Sequence, residues 1–286
     1  MLKEPWKRIE NTQLIKISDK LYAKLETANP TGSIKDRPMQ YIVEKALLEN
    51  KIDDKTTLVE ASSGNTGISL SAIGASMGLP VKIIMPSNMS VERRQMMEAF
   101  GAVIIDAPPS DFKEAIRMRN DLVKSSKTHW SPMQFENDLN IHCHYKTTAQ
   151  EILNQTSQIG KISAFFGGAG TGGTIMGIKK AFLEKSRNSK CILVVPAEDS
   201  DKHGIQGIGD GGDYLVVREA LDGSVKIKTS DALDRARLFA KQRGILVGIS
   251  SGANILAAEN FIKDSSPDGI VVTLICDRGE RYLSLY

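Results

Sequence analysis

Short apolar runs alternate with longer amphipathic segments along most of this chain of 286 residues. The apolar runs predict strands, and the segments between them, such as 91–100 and 230–242, predict helices. Gly101 and Gly244 follow those two segments and are typical of helix ends. Such alternation is typical of parallel sheets covered by helices on both faces, so we predict an α/β fold. The predicted strands lie near 57–60, 82–85, 103–106, 128–131, 164–167, 191–196 and 270–276.

The segment 29–37, with the sequence NPTGSIKDR, places Lys35 behind a turn and at the start of a helix. Its Asn-Pro pair and its glycine are typical of turns. Asp36 can cap the helix, and Pro38 suits a first helical turn because its missing N–H costs nothing there. A lysine in this position can form a Schiff base with a carbonyl cofactor. For a lone lysine, a surface position is the simpler interpretation, and three further loops change that balance.

Each of these three loops follows an apolar run and opens a predicted helix. The segment 60–67 (EASSGNTG) crowds hydroxyl, amide and backbone N–H donors at a helix start, which suits a carboxylate. The segment 167–174 (GGAGTGGT) is rich in glycine, so its backbone can approach an anion such as a phosphate closely. The segment 248–252 (GISSG) offers Ser250 or Ser251 to a bound ring, or as a cap for the next helix.

A dinucleotide site competes with this interpretation. Gly168, Gly170 and Gly173 fit the pattern G-x-G-x-x-G, and Glu198 lies just beyond the next apolar run, where a ribose-binding acid would sit. The glycine-rich motif alone leaves this alternative open.

In their order and spacing, the four loops resemble the pyridoxal-phosphate enzymes of the cysteine synthase (O-acetylserine sulfhydrylase) and cystathionine β-synthase family. The likeness runs from about residue 11 to residue 284, and the lysine motif together with SGNTG and GTGGT is a specific combination. Two more segments, 85–97 (MPSNMSVERRQMM) and 275–284 (ICDRGERYLS), are similar to the B-type cysteine synthases in particular.

The resemblance implies fold type II of the pyridoxal-phosphate enzymes, which is tryptophan synthase β-like. We therefore expect two three-layer α/β lobes with mainly parallel sheets and the cofactor between them. The larger, cofactor-binding lobe would comprise residues 1–28 and 141–286, and the smaller, movable lobe residues 29–140.

The resemblance also assigns residues to pyridoxal 5′-phosphate. Lys35 would hold the cofactor as an internal aldimine and, once displaced, would remove the substrate's α-proton. Asn65 would reach the ring hydroxyl oxygen, and Ser250 would contact the pyridine nitrogen. The phosphate would be cradled by Gly170, Thr171, Gly172, Gly173 and Thr174.

The same resemblance implies a set of substrate-binding residues. Ser62 stands where the family usually has threonine, and Asp210 stands where a small or apolar residue is common. A carboxylate at position 210 would repel anionic sulfur donors or act as a base for water or a neutral thiol, and a solvated loop aspartate is an equally good interpretation. The expected substrate-binding residues are Ser62, Ser63, Gly64, Asn65, Thr66, Gln134, Gly207 and Asp210.

The implied reaction is a β-replacement. A hydroxyl such as that of Ser250 leaves the pyridine nitrogen largely neutral, and this weaker electron sink favours expulsion of a β-leaving group. The enzyme, a transferase, would make L-cysteine from O-acetylserine or O-phosphoserine and sulfide or thiosulfate, by way of an aminoacrylate. A β-lyase on the same cofactor, such as a cysteine desulfhydrase or a serine or threonine dehydratase, is the alternative. A non-enzymatic or dinucleotide-binding protein of similar fold is a third, which Lys35 disfavours.

Composition and charge limit the partners. The net charge of +3 is too small to argue for nucleic acid or an anionic membrane, and no apolar run is long enough to span a bilayer. The N-terminal segment does not resemble a secretory signal, and three widely spaced cysteines indicate a reducing cytoplasm. The segment His142-Cys143-His144 would place alternate residues on one strand face, but a further ligand group is missing, so we predict no metal. The family implies a homodimer.

Overall fold

The computed structural model describes residues 2–62, 64–199, 202–209 and 212–286. The strands are β1 (Leu14–Lys16), β2 (Leu21–Leu25), β3 (Thr57–Ala61), β4 (Val81–Pro86), β5 (Val103–Ala107), β6 (His129–Trp130), β7 (Ile162–Gly168), β8 (Lys190–Pro196), β9 (Ser224–Ile227) and β10 (Ile270–Ile275). The helices are α1 (Asp36–Leu48), α2 (Asn65–Met77), α3 (Val91–Ala99), α4 (Phe112–Lys124), α5 (Leu139–Lys146), α6 (Thr148–Thr156), α7 (Gly173–Lys185), α8 (Thr229–Arg243) and α9 (Ile249–Ser265).

The strands form two sheets. The larger sheet has the order β1-β2-β10-β7-β8-β9, and the smaller sheet has the order β5-β4-β3-β6. All neighbouring strands pair in parallel except β1 and β2, which pair antiparallel. The predicted parallel α/β fold is therefore confirmed.

Both sheets are covered on both faces, because the connecting segments pack their apolar residues against them. In the larger sheet, Phe239 of α8 belongs to the core on one face and Phe182 of α7 to the core on the other. In the smaller sheet, Ile42 of α1 and Ala115 of α4 belong to opposite cores. Each sheet is thus the middle layer of three, as expected. Trp6 packs into the same core as Ile42 of α1. The lobe boundaries at residues 28 and 140 stay a prediction.

Local signals in the sequence locate the helix ends well. The helix predicted over 91–100 is α3, and Gly101 follows it with φ of +82°. The helix predicted over 230–242 is α8, and its C-cap Gly244 has φ of +66°, a left-handed conformation that favours glycine. No helix within the described part of the chain is both long enough and apolar enough to cross a bilayer.

A buried cluster of four charges joins α1 to the larger sheet. Arg37 donates to Glu26 through Nε at 2.7 Å and to Glu151 through Nη1 at 2.7 Å, and Lys24 of β2 contacts Glu151 at 2.6 Å. The side chains of Arg37, Glu26 and Lys24 are fully shielded from solvent, and that of Glu151 is nearly so. Burial alone would raise the pKa of Glu151, but hydrogen bonds and charges from Arg37 and Lys24 lower it to about 2. The cluster pairs two cations with two anions, as buried charges require.

This cluster predicts a loss of stability in acid. Because the pKa of Glu151 is depressed in the folded state, its contribution is present above its ordinary value of 4.5 and is lost as the pH falls towards 2. At neutral pH, Glu151→Gln should lower the free energy of unfolding by about 3–5 kcal/mol, since it removes one partner of a buried pair. Urea unfolding between pH 7 and pH 3 measures both effects.

The matched control is Glu114→Gln, which changes an acid of α4 that pairs with the exposed Arg117. That control should change the free energy of unfolding by less than about 1 kcal/mol. If Glu151→Gln keeps both the wild-type stability and its dependence on pH, the cluster does not stabilise the fold in this way.

Candidate active site

Strands of both sheets end at a shared cleft, which measures about 850 Å³ with its open mouth included. Its position at the carboxyl ends of parallel strands is the usual place for a ligand in α/β proteins. It is lined by Ile34, Lys35, Ser62, Asn65, Thr66, Arg93, Phe112, Gln134, Phe135, Gly168, Ala169, Gly170, Thr171, Gly172, Thr174, Ile175, Gln206, Gly207, Ile208, Ser250, Leu274 and Cys276.

Lys35 lies at the cleft because the turn before α1 is hydrogen-bonded to the residue that follows β10. Gly32 donates its amide to Asn29 O at 2.8 Å and has φ of +83°, which glycine adopts readily. The amide of Ile34 donates to Cys276 O at 2.8 Å. Lys35 itself is the N-cap residue of α1 and lines the cleft. The predicted turn and the helix after it are confirmed.

Asp36 does not cap α1, so that prediction is wrong. It lies inside the helix, fully buried, and accepts hydrogen bonds from the Thr31 amide at 2.7 Å and from the hydroxyls of Thr31 and Ser69. Burial raises the pKa of Asp36, and these hydrogen bonds oppose the rise. The Asp36 carboxylate thus links the turn before Lys35 to α2. It does not bond the amides of α1, because its oxygens accept from Thr31 and Ser69 instead.

The loop between β3 and α2 is held from two sides. The hydroxyl oxygen of Ser62 accepts from the amides of Gly64 at 3.1 Å and Gly67 at 2.9 Å, so it caps the start of α2. Thr66 donates to Gln134 Oε1 at 2.5 Å. Ser62, Asn65, Thr66 and Gln134 all line the cleft, and their role in substrate binding stays a prediction. Ser63 lies outside the described residues.

Gln134 is fixed in turn by buried partners. Its side-chain amide donates to Ala61 O at 2.9 Å, and its backbone amide donates to Glu60 Oε2 at 3.0 Å. Glu60 is fully buried, and Arg119 of α4 contacts its other oxygen at 3.1 Å. Burial raises the pKa of Glu60, while Arg119 acts in the opposite direction. These hydrogen bonds hold Gln134 in place and determine which way its side-chain amide points.

The glycine-rich loop before α7 fits a phosphate. A Cβ on Gly170 would lie 2.6 Å from Gly207 O, and one on Gly173 would lie 2.0 Å from Asn140 Oδ1, so neither position tolerates a side chain. Among the described residues, the amides of Gly170, Thr171 and Gly172 meet no hydrogen-bond acceptor. Amides at the start of a helix that lack a protein partner form an anion site, and here they border the cleft.

His144 lies behind this loop, and the sequence suggested it only as part of a candidate metal cluster. Its Nε2 lies 3.2 Å from the Thr174 hydroxyl and its Nδ1 lies 2.9 Å from the Thr148 hydroxyl. Burial, followed by the charges of Lys35 and Arg37, lowers the pKa of His144 well below its usual value. The neutral ring therefore orients Thr174 through a hydrogen bond, without adding charge.

His142, Cys143 and His144 lie on α5, so they do not share the face of a strand in the way that the metal hypothesis required. There His142 contacts the Tyr41 hydroxyl at 2.7 Å, away from the buried His144. Within the described parts of the chain, no three His, Cys, Asp or Glu side chains are grouped so as to hold a metal ion.

The two serines of the segment 248–252 have different roles. Both lie inside the first turn of α9, so the suggestion that they precede the helix is wrong. The hydroxyl of Ser251 accepts from the Cys276 amide at 2.9 Å, whereas Ser250 lines the cleft. Burial raises the pKa of the Cys276 thiol to about 12, so this nearby thiol stays protonated at neutral pH. Ser250 is thus the serine in a position to meet a bound ring.

Glu198 does not face a ribose. Its Oε1 accepts from the Thr229 amide at 2.9 Å and its Oε2 contacts the Thr229 hydroxyl at 3.2 Å, so it caps the start of α8. These hydrogen bonds lower its pKa, the backbone one most strongly. That part of the dinucleotide hypothesis is therefore wrong.

Gly207 lines the cleft, and its role in substrate binding stays a prediction. Asp210 lies outside the described residues. Arg93 of α3 also lines the cleft, although the sequence did not assign it to the site. It packs on the substrate loop, since a Cβ on Gly64 would lie 2.6 Å from Arg93 Cδ.

Known proteins resemble the chain over most of its length. Residues 6–277 match the family described as pyridoxal-phosphate dependent enzymes. A cysteine synthase of Staphylococcus aureus is 39% identical over 274 residues, 92% of this chain and 87% of that protein. A cysteine synthase B of Campylobacter jejuni is 38% identical over 288 residues, 96% of this chain and 95% of that protein.

Two solved structures superpose closely. The O-acetylserine dependent cystathionine β-synthase of Helicobacter pylori has a TM-score of 0.92 and 32% identity, and the match covers 98% of this chain and 97% of that one. A hydrogen sulfide-producing enzyme of Fusobacterium nucleatum has a TM-score of 0.90 and 38% identity, with 96% and 97% covered.

The phosphate cradle can be tested through Thr174. Thr174→Val keeps the side-chain shape but removes the hydroxyl that His144 orients, so apo-protein should bind pyridoxal phosphate about tenfold more weakly. Fluorescence titration measures the dissociation constant. Thr156→Val is the matched control, because that buried hydroxyl donates only to its own helix. Equal affinity in both variants and the wild type would show that the Thr174 hydroxyl does not contact the phosphate.

Proposed function

Because the chain belongs to the pyridoxal-phosphate dependent enzymes, and within them to the cysteine synthases, we propose that it makes L-cysteine by β-replacement on an activated serine. The observation that carries this proposal is that Lys35, the phosphate-type loop before α7 and the carboxylate-type loop before α2 line one cleft. In the proposed reaction the Cβ–O bond breaks with loss of the leaving group, and a Cβ–S bond to the sulfur donor forms.

The residues that line the cleft fit this cofactor. When bound, pyridoxal phosphate supplies a carbonyl for an amine and a conjugated ring that accepts electrons from the substrate's Cα. The amides of Gly170, Thr171 and Gly172 would hold the phosphate at the start of α7. The hydroxyl of Ser250 would meet the pyridine nitrogen without protonating it. Lys35 Nζ would bind the carbonyl carbon and later take the proton from Cα.

The loop before α2 would bind the substrate's carboxylate. The N-terminus of α2 favours an anion. Thr66 donates its hydroxyl proton to Gln134 Oε1, so Thr66 would bind the carboxylate through its backbone amide while its side chain holds the loop in place. Ser62, Ser63, Gly64 and Asn65 are proposed to complete this pocket, which would also exclude water from the reacting atoms.

The charges around the cleft favour O-acetylserine over O-phosphoserine as the activated serine. Lys35 and Arg93 are the only cationic side chains among the described lining residues, and Arg93 packs behind the carboxylate loop. Phe112, Phe135 and Ile208 make other parts of the lining apolar. A phosphoryl leaving group carries close to two negative charges and would find no further cation there.

A β-elimination that releases hydrogen sulfide is the second candidate. The similar Fusobacterium nucleatum protein is a hydrogen sulfide-producing enzyme. Asp210 would supply a base for water on this route, as the sequence suggests, and would then disfavour anionic sulfur donors.

We also propose a homodimer in a reducing compartment such as the cytoplasm. The three cysteines are unpaired, which fits that compartment. Light scattering after size-exclusion chromatography measures the oligomeric state.

Lys35 provides the first test of this function. The purified protein should be yellow, and borohydride reduction followed by peptide mapping should place the label on Lys35. Lys35→Ala should lose the covalent linkage and turnover while its phosphate cradle still binds the free cofactor. A label on another lysine, or tight binding of NAD by a colourless protein, would overturn the proposal.

A panel of substrates separates the candidate reactions. With sulfide present, kcat/KM for O-acetylserine should exceed that for O-phosphoserine by roughly 100-fold, because the described lining offers a phosphoryl group no cation beyond Lys35 and Arg93. Cysteine alone should release sulfide slowly if β-replacement is the main reaction. Faster release of sulfide from cysteine than formation of cysteine from O-acetylserine would favour the lyase instead.

A further inference from the structure

We propose that Asp277 and Arg281, in the segment after β10, are positioning residues that fix the orientation of the Asn65 side chain towards the cofactor. The inference rests on the proposed function, in which Asn65 meets the cofactor's ring oxygen. It brings together the segments 85–97 and 275–284, whose part in the site the sequence left open.

The two residues clamp the Asn65 amide from opposite ends. Arg281 Nη1 donates to Asn65 Oδ1 at 2.5 Å, and Asn65 Nδ2 donates to Asp277 Oδ2 at 2.6 Å. Asp277 is 1% exposed and Arg281 is 2% exposed, so water does not compete for these hydrogen bonds. Asn65 itself lines the cleft together with Lys35.

The chemistry of the partners leaves one orientation for the amide. A guanidinium can only donate hydrogen bonds and an ionised carboxylate can only accept them. Asn65 must therefore turn its oxygen to Arg281 and its nitrogen to Asp277. In a flipped amide, Nδ2 would face the Arg281 donor and Oδ1 would face the Asp277 acceptor, so neither hydrogen bond would form. In the observed orientation, the second N–H of Nδ2 remains available for an acceptor in the cleft.

Further contacts hold the clamp in place. The Tyr282 hydroxyl donates to Asp277 Oδ2 at 2.5 Å and accepts from Arg93 Nη2 at 2.6 Å, while the Arg93 guanidinium lies 4.7 Å from the centre of the Tyr282 ring. Arg281 Nη2 donates to Thr31 O at 2.5 Å, in the turn that carries Lys35. The segment after β10 thus contacts the lysine turn, the substrate loop and α3 at once.

The clamp has a consequence that depends on pH. An N–H that donates to the ring oxygen favours its deprotonated form and so lowers the pKa of that oxygen. Without the clamp, the Asn65 amide is free to turn its own oxygen inwards, and this stabilisation is lost. The charged groups around Asn65 are Lys35 and Arg93 in the cleft lining and Asp277 and Arg281 behind it.

The test is a pH titration of the absorbance of bound pyridoxal phosphate. In Asp277→Ala and Arg281→Met, the apparent pKa of the chromophore should rise by about one unit, as expected for a lost hydrogen bond to the charged form. Asp277→Asn should titrate close to the wild type, because its amide oxygen can still accept from Asn65. Glu280→Gln is the matched control: it changes an exposed acid of the same segment and should leave the titration unaltered.

A purely structural role would change the free energy of unfolding but not the titration curve, so urea unfolding is measured in parallel. Wild-type titration curves in both Asp277→Ala and Arg281→Met would overturn the inference. If Arg281→Met fails to fold, Arg281→Lys replaces it, since a lysine keeps the charge but lacks the two nitrogens that bond Asn65 and Thr31, and its titration should also shift upwards. If Asp277→Ala fails to fold, the Arg281 variants decide the question. Failure of the wild type to bind the cofactor would instead overturn the proposed function.

Discussion

The buried pairing of Arg37 with Glu26 and Glu151 is the interaction on which the site depends. It fixes the first turn of α1, immediately after Lys35, against residues that follow β2 and lie on α6. Buried charges are tolerated only when each one finds a partner, and the four charges of this cluster balance. No member of the cluster is among the described residues that line the cleft. The turn that carries Lys35, the proposed reactive lysine, is therefore held without extra charge among the described lining residues.

The proposed anion sites of the cleft consist mainly of backbone groups. The starts of α2 and α7 meet there, and each offers amide groups and the positive end of a helix. His144 stays neutral, so it orients Thr174 without attracting a further anion. In the proposed function, this arrangement would bind one phosphate at the start of α7 and one carboxylate at the start of α2.

Local sequence was enough to find the loops but not the partners of their side chains. The loop before α2 and the glycine-rich loop each follow an apolar strand and open a helix, and Lys35 lies between a turn and a helix. Neighbouring residues encode these patterns. Asp36, by contrast, was predicted to cap α1, and it binds Thr31 and Ser69 instead. The contacts of Arg93 and His144 were not predicted, because their partners Tyr282 and Thr174 lie far away in the chain.

The sequence by itself determined the parallel α/β fold, the family, the cofactor and the order of the four loops, since all of these depend on periodicity and on short motifs. The tertiary structure decided which hydroxyl or carboxylate serves the site. Ser250 lines the cleft while Ser251 bonds the Cys276 amide, Glu198 caps α8, and Asp277 turns towards Asn65. The physical reason is that a polar side chain near a helix start can satisfy either its own backbone or a distant group, and only packing in three dimensions brings the distant group within reach.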